Sequence, residues 1–178
     1  MREIALAAFL ALTASQSFPV FAQTPGPGVP ALAVKGNVER ELVWSIDELK
    51  RLPAQRVEDV RVVREQGATT GPPAVARRYT GCLLRDILDR AKLVEKNRFD
   101  LRKSVVVVTA SDGYRAVFSW AELYLSPIGD GVLIVYERDG AALSDSEGPL
   151  ALVSLKDTRP GPRHVKWLRT VEVRTIAD

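Results

Sequence analysis

A chain of 178 residues is long enough to bury one sizeable hydrophobic core, and its 46% hydrophobic and 26% charged residues are ordinary for a globular domain. A formal net charge of +3 is too weak to indicate nucleic acid as a partner. The single cysteine, Cys82, excludes an internal disulfide, so the hydrophobic core must stabilise the fold.

Residues 1–22 have the pattern of a secretory signal peptide. Arg2 belongs to a short charged start, an apolar run extends from Ile4 to Leu12, and small residues precede a predicted cleavage site after Ala22. The apolar run is too short to span a bilayer comfortably, so we expect a mature protein without a stable membrane span. The predicted location is therefore periplasmic or secreted.

One domain is predicted over residues 31–178, after a Pro/Gly-rich linker at 23–30. It begins with a hairpin around Gly36-Asn37, and the capping-box pair Ser45 and Glu48 then opens a short helix. The elements predicted from there on are a strand at 57–63, a loop at 65–75 and a helix that begins near Cys82 and buries Leu83, Leu84, Ile87, Leu88 and Ala91.

The best-defined segment, SVVVVTASDGYRAVFSWAEL, contains a complete strand–turn–strand–helix unit. Val105–Thr109 is a β-branched run that predicts a buried strand, and Asp112-Gly113 allows the tight reversal that follows. Tyr114–Phe118 returns as a second strand, after which Ser119 and Glu122 form another capping box. This unit is the predicted central hairpin of an α+β domain.

The last part of the chain predicts three more strands and a basic loop. The first is VLIVYER, before the turn Asp139-Gly140, and the second is LALVSL, after Gly148-Pro149. The buried face of the final strand is formed by Val165, Trp167, Val171 and Val173, and Arg169 marks a strand end or a twisted edge. The loop KDTRPGPRHVKW separates the last two strands and contains the only histidine, His164.

This basic loop is the strongest functional candidate. Arg159, Arg163 and Lys166 lie around two prolines, which lower the entropy lost when a loop becomes ordered. Guanidinium and ammonium groups bind phosphates and carboxylates. We therefore expect an anion site with Arg163 as the main fork, Arg159 and Lys166 as supporting charges and His164 as an orienting donor. The alternative is a solvated basic surface.

Catalytic and metal-binding signatures are not recognisable in the sequence. It contains no Cys or His pair at zinc spacing, no phosphate loop and no Gly-x-Ser-x-Gly motif. Cys82 lies in an apolar pattern, which favours a buried small hydrophobe over a nucleophilic dyad with His164. No catalytic residue is assigned and no metal site is predicted.

Four stretches in order resemble the sulfite-oxidase-like, molybdopterin-binding oxidoreductase domain. They are ALAVKGNVERELVWSIDEL, YTGCLLRDIL, VTASDGYRAVFSWAEL, and GPLALV followed by HVKWLRTVEV, and together they cover about residues 31–174. The resemblance implies an α+β, mostly β fold and a molybdopterin cofactor. It also implies that Arg163, His164 and Lys166 help to hold the pterin phosphate, with Trp167 as a core anchor.

The same resemblance implies a molybdenum-ligating cysteine after an early strand, upstream of the Tyr-x-Gly segment. The corresponding stretch, VRVVREQGATTG at 60–71, contains no cysteine, and Cys82 lies in the later segment. Two functions therefore stay open. One is an exported redox or pterin-binding protein, which as an enzyme would be a molybdopterin-dependent oxidoreductase. The other is a cofactor-free binding module for a periplasmic protein partner or a small anion.

Overall fold

The structure, a computed structural model, describes residues 32–61, 76–97, 99–159 and 161–176. The predicted signal peptide, the linker and the predicted loop at 65–75 lie outside these residues. So does the end of the strand predicted at 57–63, whose described part belongs to a strand that ends at Arg61.

The described elements are mainly strands, in agreement with the predicted α+β, mostly β fold class. The strands are β1 (Leu32–Gly36), β2 (Leu42–Trp44), β3 (Gln55–Arg61), β4 (Ala76–Leu83), β5 (Ser104–Ala110), β6 (Arg115–Ser119), β7 (Val132–Arg138), β8 (Ala141–Ala142), β9 (Ala151–Ser154) and β10 (Leu168–Thr175). The helices are α1 (Ile46–Leu49), α2 (Leu84–Ala91) and α3 (Trp120–Tyr124). None of the helices in these ranges has the length and apolar character needed to cross a membrane.

The strands form two sheets. The first has the order β2-β1-β10-β5-β6, and the second has the order β3-β4-β7-β8, with β9 also paired to β7. Among the described strands, β1 and β10 pair in parallel and the other neighbours are antiparallel. The last strand therefore lies in the middle of the first sheet, between the first strand and the central hairpin.

One main core joins the two sheets. Its buried residues come from β1, β5, β6 and β10 of the first sheet, from β4, β7 and β9 of the second, and from helices α1, α2 and α3. A smaller cluster covers the opposite face of the second sheet and consists of Tyr79, Leu83, Leu133, Val135, Ala151 and Val153. The second sheet is thus buried on both faces, and its outer face becomes important for the site below.

The central hairpin forms as predicted. β5 and β6 pair in register from Val105 opposite Ser119 to Thr109 opposite Arg115. Gly113 has a φ of 88°, and the Asp112 carboxylate accepts a hydrogen bond from the Tyr114 amide at 2.9 Å. Both predicted capping boxes also form, at the starts of α1 and α3.

The helix predicted to begin near Cys82 starts later. Cys82 lies in β4 opposite Ile134, and α2 begins only at Leu84. A Cβ atom at Gly81 would lie 2.2 Å from the Ile134 carbonyl oxygen, so glycine allows β7 to approach closely at this point. The predicted helical face is therefore wrong for Leu83, which packs into the smaller cluster on the outer face.

Trp167 is not the buried core anchor that the sequence suggested. It is 39% exposed, and β10 begins only at Leu168. Val165 is buried as predicted, but through an isolated bridge to Leu152 of β9. The register of β10 shifts between Leu168 and Thr170, which agrees with the predicted irregularity at Arg169.

Candidate functional site

The basic loop between β9 and β10 is held at two of its described residues, Pro162 and Val165. The Tyr114 hydroxyl donates a hydrogen bond to the Pro162 carbonyl oxygen. Further on, the amides of Val165 and Leu152 each donate to the other residue's carbonyl, at 2.9 and 2.8 Å. The loop is therefore held by the central hairpin on one side and by β9 on the other.

The Arg163 guanidinium is bound by carboxylates of the same chain. Nε donates to Asp157 Oδ2 at 2.6 Å, Nη2 donates to Asp157 Oδ1, and Nη1 donates to Glu122 Oε1 at 3.0 Å. The guanidinium carbon also lies 4.5 Å from the centre of the Phe118 ring. Two carboxylates of the same chain thus take three of the guanidinium N–H groups, and the role of Arg163 as the main anion fork stays a prediction.

His164 faces the opposite side and meets a polar group at one end of the outer face of the second sheet. We call Tyr79, Arg138, Glu147 and His164 the Glu147 cluster. The Glu147 carboxylate is 3% exposed, accepts a 2.7 Å hydrogen bond from the Tyr79 hydroxyl and is paired with the Arg138 guanidinium. Its buried negative charge is therefore compensated by direct partners.

The imidazole of His164 has an unused hydrogen-bonding atom. Nε2 is buried without a hydrogen-bond partner and lies 3.7 Å from Glu147 Oε1, beyond hydrogen-bond distance. The ring stands edge-on to Tyr79, with 6.3 Å between ring centres. Burial lowers the pKa of His164, against the opposing effect of Glu147. A buried nitrogen of this kind is a ready partner for a ligand or a water molecule.

Positive charge surrounds this imidazole. His164 and Lys166 flank the buried Val165, so in this extended stretch they lie on the side of the chain away from the core. Lys166, Arg77 and Arg138 each lower the pKa of His164 further through charge repulsion. The surroundings thus combine three cations with the single buried acid of the Glu147 cluster.

The structure does not bring the four residues predicted to bind an anion into one group. The structure brings His164 and Lys166 together, turns Arg163 towards Asp157, and leaves Arg159 exposed on the loop. The sequence analysis missed the cluster's other members, Tyr79, Arg138 and Glu147. They come from three different parts of the chain, and the only local signal was an acidic residue directly before Gly148-Pro149.

The residues of this chain do not fit a cysteine-ligated molybdenum. Cys82, the only thiol, is 0% exposed in the main core, and its Sγ lies 3.9 Å from the Ile134 carbonyl oxygen. Burial raises the pKa of Cys82 to about 12, so the thiolate form that binds metals is disfavoured. Among the described residues, no group of three or more His, Cys, Asp or Glu could hold a metal ion.

An anionic part of a pterin cofactor fits better. The ammonium of Lys166 and the guanidinium of Arg77, which also interacts with the Tyr79 side chain, are donors of the type that bind phosphate or carboxylate. The unpartnered Nε2 of His164 lies near both cations and 3.7 Å from Glu147 Oε1. The donor set therefore suits the acidic group of such a cofactor and not its metal.

Comparisons with known proteins agree with this architecture. The family model for the oxidoreductase molybdopterin binding domain matches residues 29–177, while a search of curated proteins gives no match. The fold is similar to that of the sulfane dehydrogenase SoxCD from Paracoccus pantotrophus, with a TM-score of 0.60 and 19% identity. The similarity covers 83% of this chain and 39% of that chain, so this chain spans less than half of its length. The chain belongs to the oxidoreductase molybdopterin-binding domain family, as its sequence predicted.

Proposed function

We propose that this protein binds a pterin-type or related small anionic ligand beside the Glu147 cluster, without a cysteine-ligated molybdenum. Membership of an oxidoreductase family supports a redox-related role. The observation that carries the proposal is the buried, unpartnered Nε2 of His164, with Lys166 and Arg77 close enough to affect its pKa.

Charge and solvation favour an anion at this place. A neutral imidazole in a partly buried site costs less to desolvate than a charged one, and it still has a nitrogen available for hydrogen bonding. Lys166 and Arg77 supply the charge, and a charge-assisted hydrogen bond to an anion contributes about 1.5–3 kcal/mol. A redox reaction here would depend on a cofactor held through its pterin or phosphate, because the only thiol lies in the core.

Calorimetric titration with pterin-6-carboxylate and with inorganic phosphate tests the proposal. Wild type should bind, and Lys166→Ala should weaken binding by about tenfold or more, because one charge-assisted contact is lost. Lys96→Ala is the matched control, since it removes the same charge from an exposed residue outside the Glu147 cluster. The proposal fails if wild type binds neither probe, or if the two variants behave alike.

The alternative function is a cofactor-free binding module for a protein partner or a small anion. The burial of Cys82 favours it, because a module without a cofactor needs no metal ligand. Binding of phosphate without any binding of pterin-6-carboxylate would show an anion site but no pterin site, and would therefore favour this alternative over a pterin-type ligand. Binding of neither probe would leave only a protein partner.

We also propose that the protein is exported to the periplasm or secreted. The support is the apolar run from Ile4 to Leu12 together with the small residues that end at Ala22. Mass spectrometry of the recovered protein should find a mature N-terminus at or near Gln23, and retention of Met1 in soluble cytoplasmic protein would refute export.

A further inference from the structure

The Glu147 carboxylate has one hydrogen-bonding position that the described residues leave open. Its Oε1 accepts a 2.7 Å hydrogen bond from the Tyr79 hydroxyl, and its Oε2 is paired with the Arg138 guanidinium. A carboxylate oxygen can accept two hydrogen bonds, so Oε1 can accept one more. His164 Nε2 lies 3.7 Å from this oxygen and is buried without a hydrogen-bond partner in the described part of the chain. The acid and the imidazole therefore lie just beyond hydrogen-bond distance of each other.

The charge on the imidazole decides whether these two atoms repel or attract each other. A neutral imidazole with its hydrogen on Nδ1 presents a lone pair at Nε2, and this lone pair repels the carboxylate oxygen. The imidazolium carries a hydrogen on both nitrogens, so Nε2 becomes a charged donor to Glu147 Oε1. Closing the distance from 3.7 Å to about 2.8 Å requires a movement of roughly 1 Å.

Charged and polar groups from four parts of the chain face this imidazole. Glu147, in the segment before β9, opposes the lowering of its pKa, and Tyr79 of β4 stands edge-on to the ring with 6.3 Å between ring centres. Burial lowers the pKa most, and Lys166, Arg77 of β4 and Arg138 of β7 lower it further through charge repulsion. We therefore expect protonation below the ordinary histidine pKa of about 6.5.

Trp167 is connected to both members of this pair. Its amide donates to the Glu147 carbonyl oxygen at 2.7 Å, and it follows His164 by three residues in the same segment. Its indole ring rests on Gly148, where an added Cβ atom would lie 2.6 Å from Trp167 Cδ2. Its carbonyl oxygen accepts a hydrogen bond from the Ser111 amide at 2.9 Å, in the turn of the central hairpin. A movement of the acid or the imidazole is therefore transmitted to the indole and to this turn.

The backbone of Trp167 is strained. Its φ is 52°, in a region that is unfavourable for a non-glycine residue, and it lies directly before a strand. Such a conformation persists only because neighbouring contacts impose it, here the backbone hydrogen bonds with Glu147 and Ser111. A displacement of Glu147 alters one of these two contacts, so a small movement at the acid changes the position of the indole.

We propose that His164 and Glu147 form an acid-sensitive switch, in which protonation of the imidazole draws Nε2 onto Glu147 Oε1 and shifts the anchored indole of Trp167. The His164 side chain is 22% exposed, so solvent can supply the proton. The open position on Oε1 accepts the new hydrogen bond, so the existing partners of the acid keep theirs. Lys166 lies between His164 and Trp167, so the switch also repositions a cation of the candidate site. The inference does not depend on the ligand of the proposed function.

A pH titration followed by nuclear magnetic resonance tests the switch. The ring nitrogens of His164, the indole N–H of Trp167 and the amide of Ser111 are observed from about pH 7.5 to 4.5, which brackets the ordinary pKa of histidine. The Trp167 and Ser111 signals should shift with the same midpoint as the imidazole, because one protonation moves all three groups. The chain has a single histidine, so no other imidazole contributes to this shared transition.

Three variants identify the groups responsible. His164→Gln should abolish the shared transition, because glutamine cannot titrate. Lys166→Ala should raise the midpoint, since it removes an exposed cation that repels the proton. Glu147→Gln should lower the midpoint and leave the Trp167 signal unchanged, because no carboxylate then attracts Nε2. Thermal unfolding checks that each variant folds, and Lys166→Ala decides the question if Glu147→Gln does not fold.

The other two tryptophans are internal controls in the same spectra. Trp44 packs against the main core, and Trp120 stacks on Tyr124 with 5.5 Å between ring centres. Both indoles therefore report from elsewhere in the molecule, and neither should follow the midpoint of the imidazole.

Each outcome bears on the inference. A shared transition that disappears in His164→Gln and moves to higher pH in Lys166→Ala supports it. The inference is overturned if the imidazole titrates while the Trp167 and Ser111 signals stay constant, or if these signals titrate equally in His164→Gln. An imidazole that remains neutral at about pH 4.5, well below its ordinary pKa, overturns it as well.

Discussion

His164 couples the stability of the protein to pH. Burial lowers its pKa, and although Glu147 opposes this effect, Lys166, Arg77 and Arg138 reinforce it. In the unfolded chain the imidazole titrates near its ordinary pKa of about 6.5. As the pH falls below that value, the unfolded state therefore gains a proton that the folded state resists. The stabilisation is fully present above about pH 6.5 and is lost as the pH falls towards the folded-state pKa.

Urea unfolding of wild type and His164→Gln across about pH 7.5 to 5 checks this prediction, because glutamine cannot titrate. The free energy of unfolding of wild type should fall relative to the variant as the pH drops below about 6.5. Carboxylates are common to both proteins, so most of their contribution cancels in the difference. A difference that stays constant over this range would show that burial does not destabilise the protonated form of His164.

At the scale of elements, local signals predicted the structure best where both partners lie within a few residues. The two capping boxes span four residues each, and the Asp112-Gly113 turn is encoded by its own sequence, so all three form as predicted. The start of helix α2 was predicted two residues too early, because the pairing of Cys82 with Ile134 depends on a strand far along the chain.

In the candidate site, too, only features encoded within a few residues could be predicted from the sequence. His164 and Lys166 could be proposed from residue type alone, because both can bind anions and they lie two positions apart in a Pro/Gly-rich loop, and their role as an anion site stays a prediction. The pairing of Arg163 with Glu122 could not, because the two residues are 41 positions apart. Glu147 was missed because its partners Tyr79 and Arg138 are brought to it by the second sheet and not by any local pattern.

Arg163 anchors the basic loop to the central hairpin. Arg163→Ala would leave Asp157, whose side chain is 8% exposed, without its guanidinium partner. We expect a loss of about 1–3 kcal/mol in the free energy of unfolding, because a largely buried carboxylate loses charge-assisted hydrogen bonds. The loss is limited because solvent partly screens Arg163.

Arg174→Ala is the control for this prediction. Arg174 also pairs with a carboxylate, Glu172, but its side chain is 51% exposed, so its removal should cost much less. Urea unfolding of both variants makes the comparison. Similar losses would mean that the Arg163 contacts are no more stabilising than a surface ion pair.

At the scale of the whole molecule, the position of Cys82 connects stability with metal content. Cys82 lies in the core that β4, β7 and β9 share with the first sheet and helix α2. Because this core joins both sheets, a reagent can reach the thiol only when they separate. The thiol should therefore react only through global unfolding, at the unfolding rate when labelling is faster than refolding. Cys82→Ala should cost about 1–2 kcal/mol as a small cavity.

The same placement predicts that molybdenum is not bound through this residue. Elemental analysis of protein purified from a host that makes molybdopterin should find no stoichiometric molybdenum in wild type, and Cys82→Ala should not change the metal content. The reason is that the thiolate form is disfavoured by burial and that a metal bond would require opening the core. Rapid labelling of the native thiol, or one molybdenum per chain that disappears in Cys82→Ala, would show that the core opens at β4 in the folded protein. The proposal of a pterin-type site without a cysteine-ligated metal would then have to be abandoned.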